Sequence, residues 1–188
     1  MNISLTWDLL VIVFFAVVCA YSFIVGKDES VKIVIASYIA IVAVQGAANV
    51  VGQFAPQMQS FLTLIGFSDV DINMLSTIKL AFFVAAIIFL AIRGGFEMEY
   101  RSDLGNTWDA ALTGAFGFTT AGLLLSTLLT YVAGRPLLDQ QLASAPPLLN
   151  ILENSELMQF MVDYQNIWFS LPAFLLLIVG FLNERQSS

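Results

Sequence analysis

Five apolar runs separated by polar stretches set the plan of the chain. They are Trp7 to Val25, Ile33 to Phe54, Met74 to Ile92, Trp108 to Val132 and Ile167 to Leu182. A helix of about 20 residues, rising about 1.5 Å per residue, crosses a hydrocarbon core of about 30 Å. The first four runs meet that length. The fifth, a span over about residues 166–182, is marginal and contains Pro172, which removes one backbone bond from a helix interior. It reads as a kinked span that begins before Ile167 or as a shallower re-entrant helix, and the kinked span is preferred. The pattern therefore predicts an all-α fold: one polytopic membrane helix bundle over residues 1–188 with four or five transmembrane helices.

The connections carry their own signals. "GKDES", Gly26 to Ser30, reads as a tight polar turn. The second connection, Ala55 to Asn73, holds "FLTLIGF", which is too short to span and too apolar for a free loop. It is expected at the interface or tucked into the bundle. The fourth connection contains Pro146 and Pro147, a helix-start signal, followed by Leu148, Leu149, Leu152, Met158 and Met161 near helical spacing. Glu153, Glu156 and Asp163 fall between them. This is an amphipathic segment, about residues 147–164, expected on the outer membrane surface and leading into Trp168. Its acidic polar face suits packing across the bundle mouth rather than attraction to anionic lipid.

Composition narrows the class. The 188 residues are 59% hydrophobic and 11% charged, against about 25% charged in soluble domains. The lipid bilayer is therefore the primary partner. The formal net charge of −7 argues against the basic surface that nucleic acid requires. Cys19 is the single cysteine, so no intrachain disulfide forms. There is no histidine, which removes His-based acid–base catalysis and histidine-ligated metals. No catalytic residue, metal site or cofactor is expected, and the chain reads as a non-enzyme. No Lys or Arg precedes Lys27, so the first run reads as a retained helix rather than a signal peptide. Lys27, Lys32, Arg93, Arg101 and Arg185 fall on one side of a five-span arrangement. The side rich in basic residues faces the cytoplasm, which places the N-terminus outside.

Three groups of residues carry candidate chemistry. Gln45, Asn49 and Gln53 recur at every fourth position and stack on one helix face, with Ser37 near the same line. An unpaired amide in hydrocarbon costs several kcal/mol, so this face must meet protein or water. It reads as interhelical glue, or as the wall of a solute path or a subunit interface. Lys79 is the one cation well inside an apolar run. It either snorkels to the interface or pairs with Asp8, Asp69 or Asp71. In the fourth run Ala110, Gly114, Gly117 and Ala121 share a face, flanked by Gly122. Small residues at this spacing let two helices approach closely, within one chain or between chains.

The order of features resembles the colicin V production protein (CvpA) family of bacterial inner-membrane proteins. The likeness lies in "TWDLLVIVFFAVVCAYSFIVG", "GKDESVKIVIASYIAIVAV", "DAALTGAFGFTTAGLLL" and "SAPPLLNILENSELMQFMVDY". It runs loosely from Trp7 to about Tyr164, and the matching positions are Asp8, Gly26, Asp109, Gly114, Gly117 and Gly122. Where the family often has a basic residue before the last glycine, Thr120 and Ala121 stand here, and the fifth apolar run is added to the family's usual four. The resemblance implies a bacterial inner-membrane protein with a role in export or envelope homeostasis. Self-association, or association with other membrane subunits, is expected. A channel or transporter component and a small subunit of a larger complex remain the alternatives.

Overall fold

The structure is a computed structural model. It describes the backbone of residues 7–64, 72–93, 106–132 and 155–186, and side chains within 7–50, 79–90, 107–132 and 155–181. The described residues form six helices and no strand: α1 Trp7–Val25, α2 Lys27–Leu64, α3 Ile72–Arg93, α4 Asn106–Val132, α5 Glu156–Asp163 and α6 Gln165–Gln186. Among the described residues three helices, α1, α2 and α4, are long and apolar enough to cross a membrane. The bent pair α5 and α6 adds a fourth candidate if it counts as one span. The chain is an all-α membrane bundle. In α3 the described stretch Lys79–Leu90 is apolar but too short to pass that test by itself.

The α1–α2 turn is tighter than the polar run "GKDES" suggests. Gly26 alone is non-helical, with φ +86°, a conformation that costs glycine nothing and other residues about 1 kcal/mol or more. Lys27 to Ser30 are already helix. Asp28 and Glu29 sit in its first turn, where the helix dipole favours negative charge. The Ser30 hydroxyl donates to the Gly26 carbonyl at 2.7 Å and closes the corner. At its other end α2 continues past Phe54, through Pro56, to Leu64. Its 38 residues extend about 57 Å. The second connection expected over Ala55 to Asn73 is thus largely helix. Gln57, Met58, Gln59, Leu62 and Leu64 are good helix formers, and one proline removes a single donor.

α4 is the central element. It touches every other described helix, and 61% of its apolar stretch is buried, against 11% of that in α1. Two ties fix the order of the ends. Lys27 at the start of α2 pairs with Asp109 at the start of α4, 3.2 Å apart. Asp8 at the start of α1 accepts a hydrogen bond from Ser155, the residue that caps α5. The bundle therefore has a Lys27 end and an Asp8 end, and α5 lies at the Asp8 end. Three apolar clusters line the bundle. Val11, Leu125, Met158, Met161, Val162 and Trp168 fill the Asp8 end. Ala40, Ile41, Val44, Phe83, Leu123 and Tyr131 join α2, α3 and α4. Val31, Val34, Phe116 and Val179 fill the Lys27 end.

The amphipathic segment is described from Ser155 onward. Ser155 has extended backbone, and its hydroxyl accepts from the Met158 N–H at 3.1 Å, so the described helix starts at Glu156. The part of the segment before Ser155 lies outside the described residues. α5 carries three stripes. Met158, Met161 and Val162 are buried; Glu156, Gln159 and Asp163 are exposed and polar; Leu157, Phe160 and Tyr164 are exposed and apolar. That division matches a helix lying at a membrane boundary, with one side to protein, one to water and one to lipid. The chain then turns at Tyr164, whose N–H donates to the Phe160 carbonyl at 3.1 Å, and α6 leaves at 66° to α5. α6 begins at Gln165, before Ile167, and keeps Pro172 inside it.

Candidate functional site

The amide face of α2 divides by depth. Counted from Lys27, Ser37 lies about 15 Å along the axis, Gln45 about 27 Å and Asn49 about 33 Å. Ser37 is fully buried and donates to the Ile33 carbonyl of its own helix at 2.7 Å. Gln45 is half-buried, and its amide nitrogen donates to Asn49 Oδ1 at 3.4 Å, a long bond. The Gln45 carbonyl oxygen is buried and has no partner among the described residues. Asn49 is exposed. Burial thus falls along this face, from Ser37 through Gln45 to Asn49. The physical reason is that an amide at headgroup level reaches water and needs no cover. The side chain of Gln53 lies outside the described residues.

Around this pair α2 has an uncovered face. Ile39, Val42, Ala43, Gly46, Ala47 and Val50 recur at helical spacing and are all exposed. Nothing lies within 4 Å of a Cβ placed on Gly46. The opposite face of the same helix, Ala40, Ile41 and Val44, is buried against Phe83, Leu123 and Tyr131.

The small-residue face of α4 is used inside the chain. A Cβ on Gly117 would stand 2.8 Å from Ser22 Cβ and 3.2 Å from Cys19 Cα, and one on Gly114 would stand 3.1 Å from the Phe23 ring. These glycines let α1 lie directly against α4. Ala121 is fully buried. Gly122 serves a different neighbour: a Cβ there would enter the Trp168 indole of α6. Ala110 is exposed.

Asp8, one of the alternative partners considered for Lys79, is bonded elsewhere. Its carboxylate accepts from the Ser155 hydroxyl at 2.6 Å and from the Leu157 N–H at 3.3 Å, so it stabilises the first turn of α5. A carboxylate near free N–H groups has a ready partner there, whereas a lysine on another helix must be brought to it. Lys79 is half-buried in α3. Asp69 and Asp71 lie outside the described residues.

Several polar ties were not legible in the sequence. The Ser126 hydroxyl donates to the Met161 carbonyl at 2.9 Å, joining α4 to α5. Thr130 and Gln165, both buried, meet at 3.1 Å and join α4 to α6. The Thr130 hydroxyl already donates to the Ser126 carbonyl at 2.7 Å. Its one proton is used there, so the contact with Gln165 is satisfied when the Gln165 amide nitrogen faces it. The Tyr38 hydroxyl of α2 donates to the Phe169 carbonyl of α6. Each of these residues looks like an ordinary member of an apolar run, because hydroxyls in helices commonly bond the carbonyl four residues back. Thr113, Thr120 and Thr127 do just that, at 2.6 to 2.7 Å. The Ser155 cap was detectable, since a Ser followed by Glu and an apolar run is a helix-start signal.

No family model matches the chain, and neither a curated protein nor a solved structure does. The arrangement itself offers an uncovered α2 face beside an amide pair, and a bundle end closed by α5. Among the described residues no group of His, Cys, Asp or Glu could hold a metal ion.

Proposed function

We propose that this chain is a non-enzymatic membrane protein of the bacterial inner membrane, with a role in export or envelope homeostasis. It acts as part of an oligomer or with other membrane subunits, through α2. The role and compartment rest on the resemblance to the CvpA family, and the N-terminus-outside orientation rests on the basic residues. One observation supports association through α2: its face of Ile39, Val42, Ala43, Gly46, Ala47 and Val50 is uncovered next to Gln45 and Asn49. Small residues let a second helix approach, and carboxamides donate and accept across such a contact, each bond contributing roughly 0.6–2 kcal/mol. The glycine ridge of α4 is already occupied by α1.

The test is the mass of the protein in mild detergent together with oxidative cross-linking of Ala43→Cys in a Cys19→Ser background. A complex larger than the 20.6 kDa chain, a cross-linked product, and loss of both in Gly46→Leu are expected. A monomer without cross-linking at that position refutes association through this face.

The unpartnered Gln45 carbonyl oxygen favours one second reading, a solute path along the same face. In that case Gln45→Cys and Asn49→Cys react with water-soluble thiol reagents in intact membranes. Protection at position 45 argues against the path, because position 49 reaches water in either case.

A further inference from the structure

α2 is longer than the bundle that holds it. Its 38 residues extend about 57 Å, against about 28 Å for the 19 residues of α1 and about 40 Å for the 27 of α4. α2 and α4 start level, because Lys27 pairs with Asp109. They stay side by side, because Ala40, Ile41 and Val44 share a cluster with Leu123 and Tyr131. Keeping all of α2 within a hydrocarbon core of about 30 Å would need a tilt of about 60°, against a usual range of about 0–40°. Packing along α4 opposes such a tilt.

Polar groups mark where lipid ends. Asp8 lies about 26 Å along α1 from Val25, and Asn49 about 33 Å along α2 from Lys27. Phe83 of α3 meets Tyr131 edge-on at 5.5 Å and shares a cluster with Val44, which places it about 26 Å from the Lys27 end. The chain between Leu64 and Ile72 reaches at most about 29 Å, so α3 starts beside the far part of α2 and runs back. Lys79, one turn before Phe83, then lies at about 31 Å, and Ile72 at about 42 Å. Three helices thus carry a polar side chain at about 26–33 Å, while α2 continues to about 55 Å with α3 beside it.

Along α2 the residues Ile39, Ala43, Gly46 and Val50 are spaced 4, 3 and 4 apart and are all exposed. By sequence the same period passes through Gln53 and Gln57. A period of 3.5 is that of a seam between two parallel helices. No charged residue follows Lys32 in α2, so the seam is uncharged. A two-fold axis sets each position of a seam against or beside itself in the second copy. Charged side chains repel in that arrangement, whereas carboxamides, which both donate and accept, pair with their own kind. Lipid chains cover such a seam only as far as the bilayer reaches.

We propose that α2 and α3 stand as a helical hairpin about 20 Å clear of the membrane at the Asp8 end, and that α2 meets the α2 of a second copy, parallel and in register, along Ile39, Ala43, Gly46, Val50, Gln53 and Gln57. This rests on the association through α2 proposed above and adds its partner, its register and its extension into water.

The test uses single cysteines in a Cys19→Ser background, in vesicles of the purified protein at a high lipid-to-protein ratio. A membrane-impermeant maleimide on both sides of the membrane is expected to label Gln57→Cys and to leave Ile39→Cys unlabelled. A short water-soluble bis-maleimide is expected to join Gln57→Cys into a product of twice the 20.6 kDa chain. Ala55→Cys, about 160° round the helix from Gln53 and Gln57, is the control and is expected to give little of that product. Gly46→Leu fits the single chain, since nothing lies within 4 Å of a Cβ there, and is expected to abolish the Gln57→Cys product. No labelling of Gln57→Cys overturns the projecting hairpin. Labelling without cross-linking, while Ala43→Cys still cross-links in the membrane, overturns the shared seam and leaves the association through α2 standing. Absence of both cross-links removes the two together. Equal products from Ala55→Cys and Gln57→Cys mean random encounter, and a Gln57→Cys product that survives Gly46→Leu means a seam that does not continue into the membrane; either overturns the proposal.

Discussion

Replacing Gly117 by alanine adds one methyl group at the closest approach of α1 to α4. Its ideal position is 2.8 Å from Ser22 Cβ and from Ser22 Oγ, and 3.2 Å from Cys19 Cα. Carbon atoms pack best about 3.5–4.0 Å apart. The Ser22 hydroxyl can rotate, but Ser22 Cβ and the Cys19 backbone move only if α1 moves. α1 must therefore retreat by up to about 1 Å, which opens the contacts of Phe15 and Phe23 with α4 as well. Overpacking of this kind costs about 1–3 kcal/mol, and alanine's better helix propensity returns up to about 1 kcal/mol. The net expectation is a loss of about 1–2 kcal/mol, or roughly 2–8 °C in midpoint for a domain of this size. The assay is thermal unfolding in detergent followed by a thiol-reactive fluorophore. Cys19 is the single thiol and lies in this contact, so its labelling follows separation of α1 from α4. Gly46→Ala is the internal comparison, because nothing lies within 4 Å of its Cβ. It is expected to leave the midpoint unchanged or raise it slightly. A midpoint for Gly117→Ala at or above wild type refutes the account of the α1–α4 contact. A change in oligomer mass on substituting Gly117 would not by itself indicate a subunit contact there, since the first effect is on the fold of one chain.

Two further substitutions probe the Asp8 end of the bundle. Gly122→Ala drives a methyl group into the Trp168 indole and is expected to cost about 1–3 kcal/mol. A shift in tryptophan emission with a lower midpoint checks it, and an unchanged midpoint refutes it. Asp8→Asn keeps the shape of the side chain but removes the charge that faces the first turn of α5. The expected loss is about 0.5–2 kcal/mol of local stability, read as faster amide exchange over residues 156–163 with α4 unaffected. Equal exchange in the two proteins would show that the cap does not hold α5.

What the sequence determined follows from solvent and period. Runs of about 20 apolar residues have no stable conformation in lipid except a helix, because every backbone group must find its partner within the segment. Hence α1 and α4 appear at Trp7–Val25 and Asn106–Val132, within two residues of their expected bounds. The same logic made the helix-face spacings legible: Gly114 and Gly117 do form a close-approach surface, and Ser37 does turn inward. What the sequence could not fix was the identity of the neighbour. Whether the glycine ridge meets α1 or another chain depends on which helix lies beside it. Periodicity describes one helix at a time and carries no information about its neighbours. The same holds for Asp8, which meets the N-terminus of α5 across 147 positions of sequence, and for Tyr38, which reaches the Phe169 carbonyl across 131. Hydropathy also understates length where polarity rises: it marks where lipid ends, but helix propensity and backbone bonding carry α2 on to Leu64. Depth and period belong to the chain alone, whereas the partner of each polar group was decided by the packing of α4 against the other five helices.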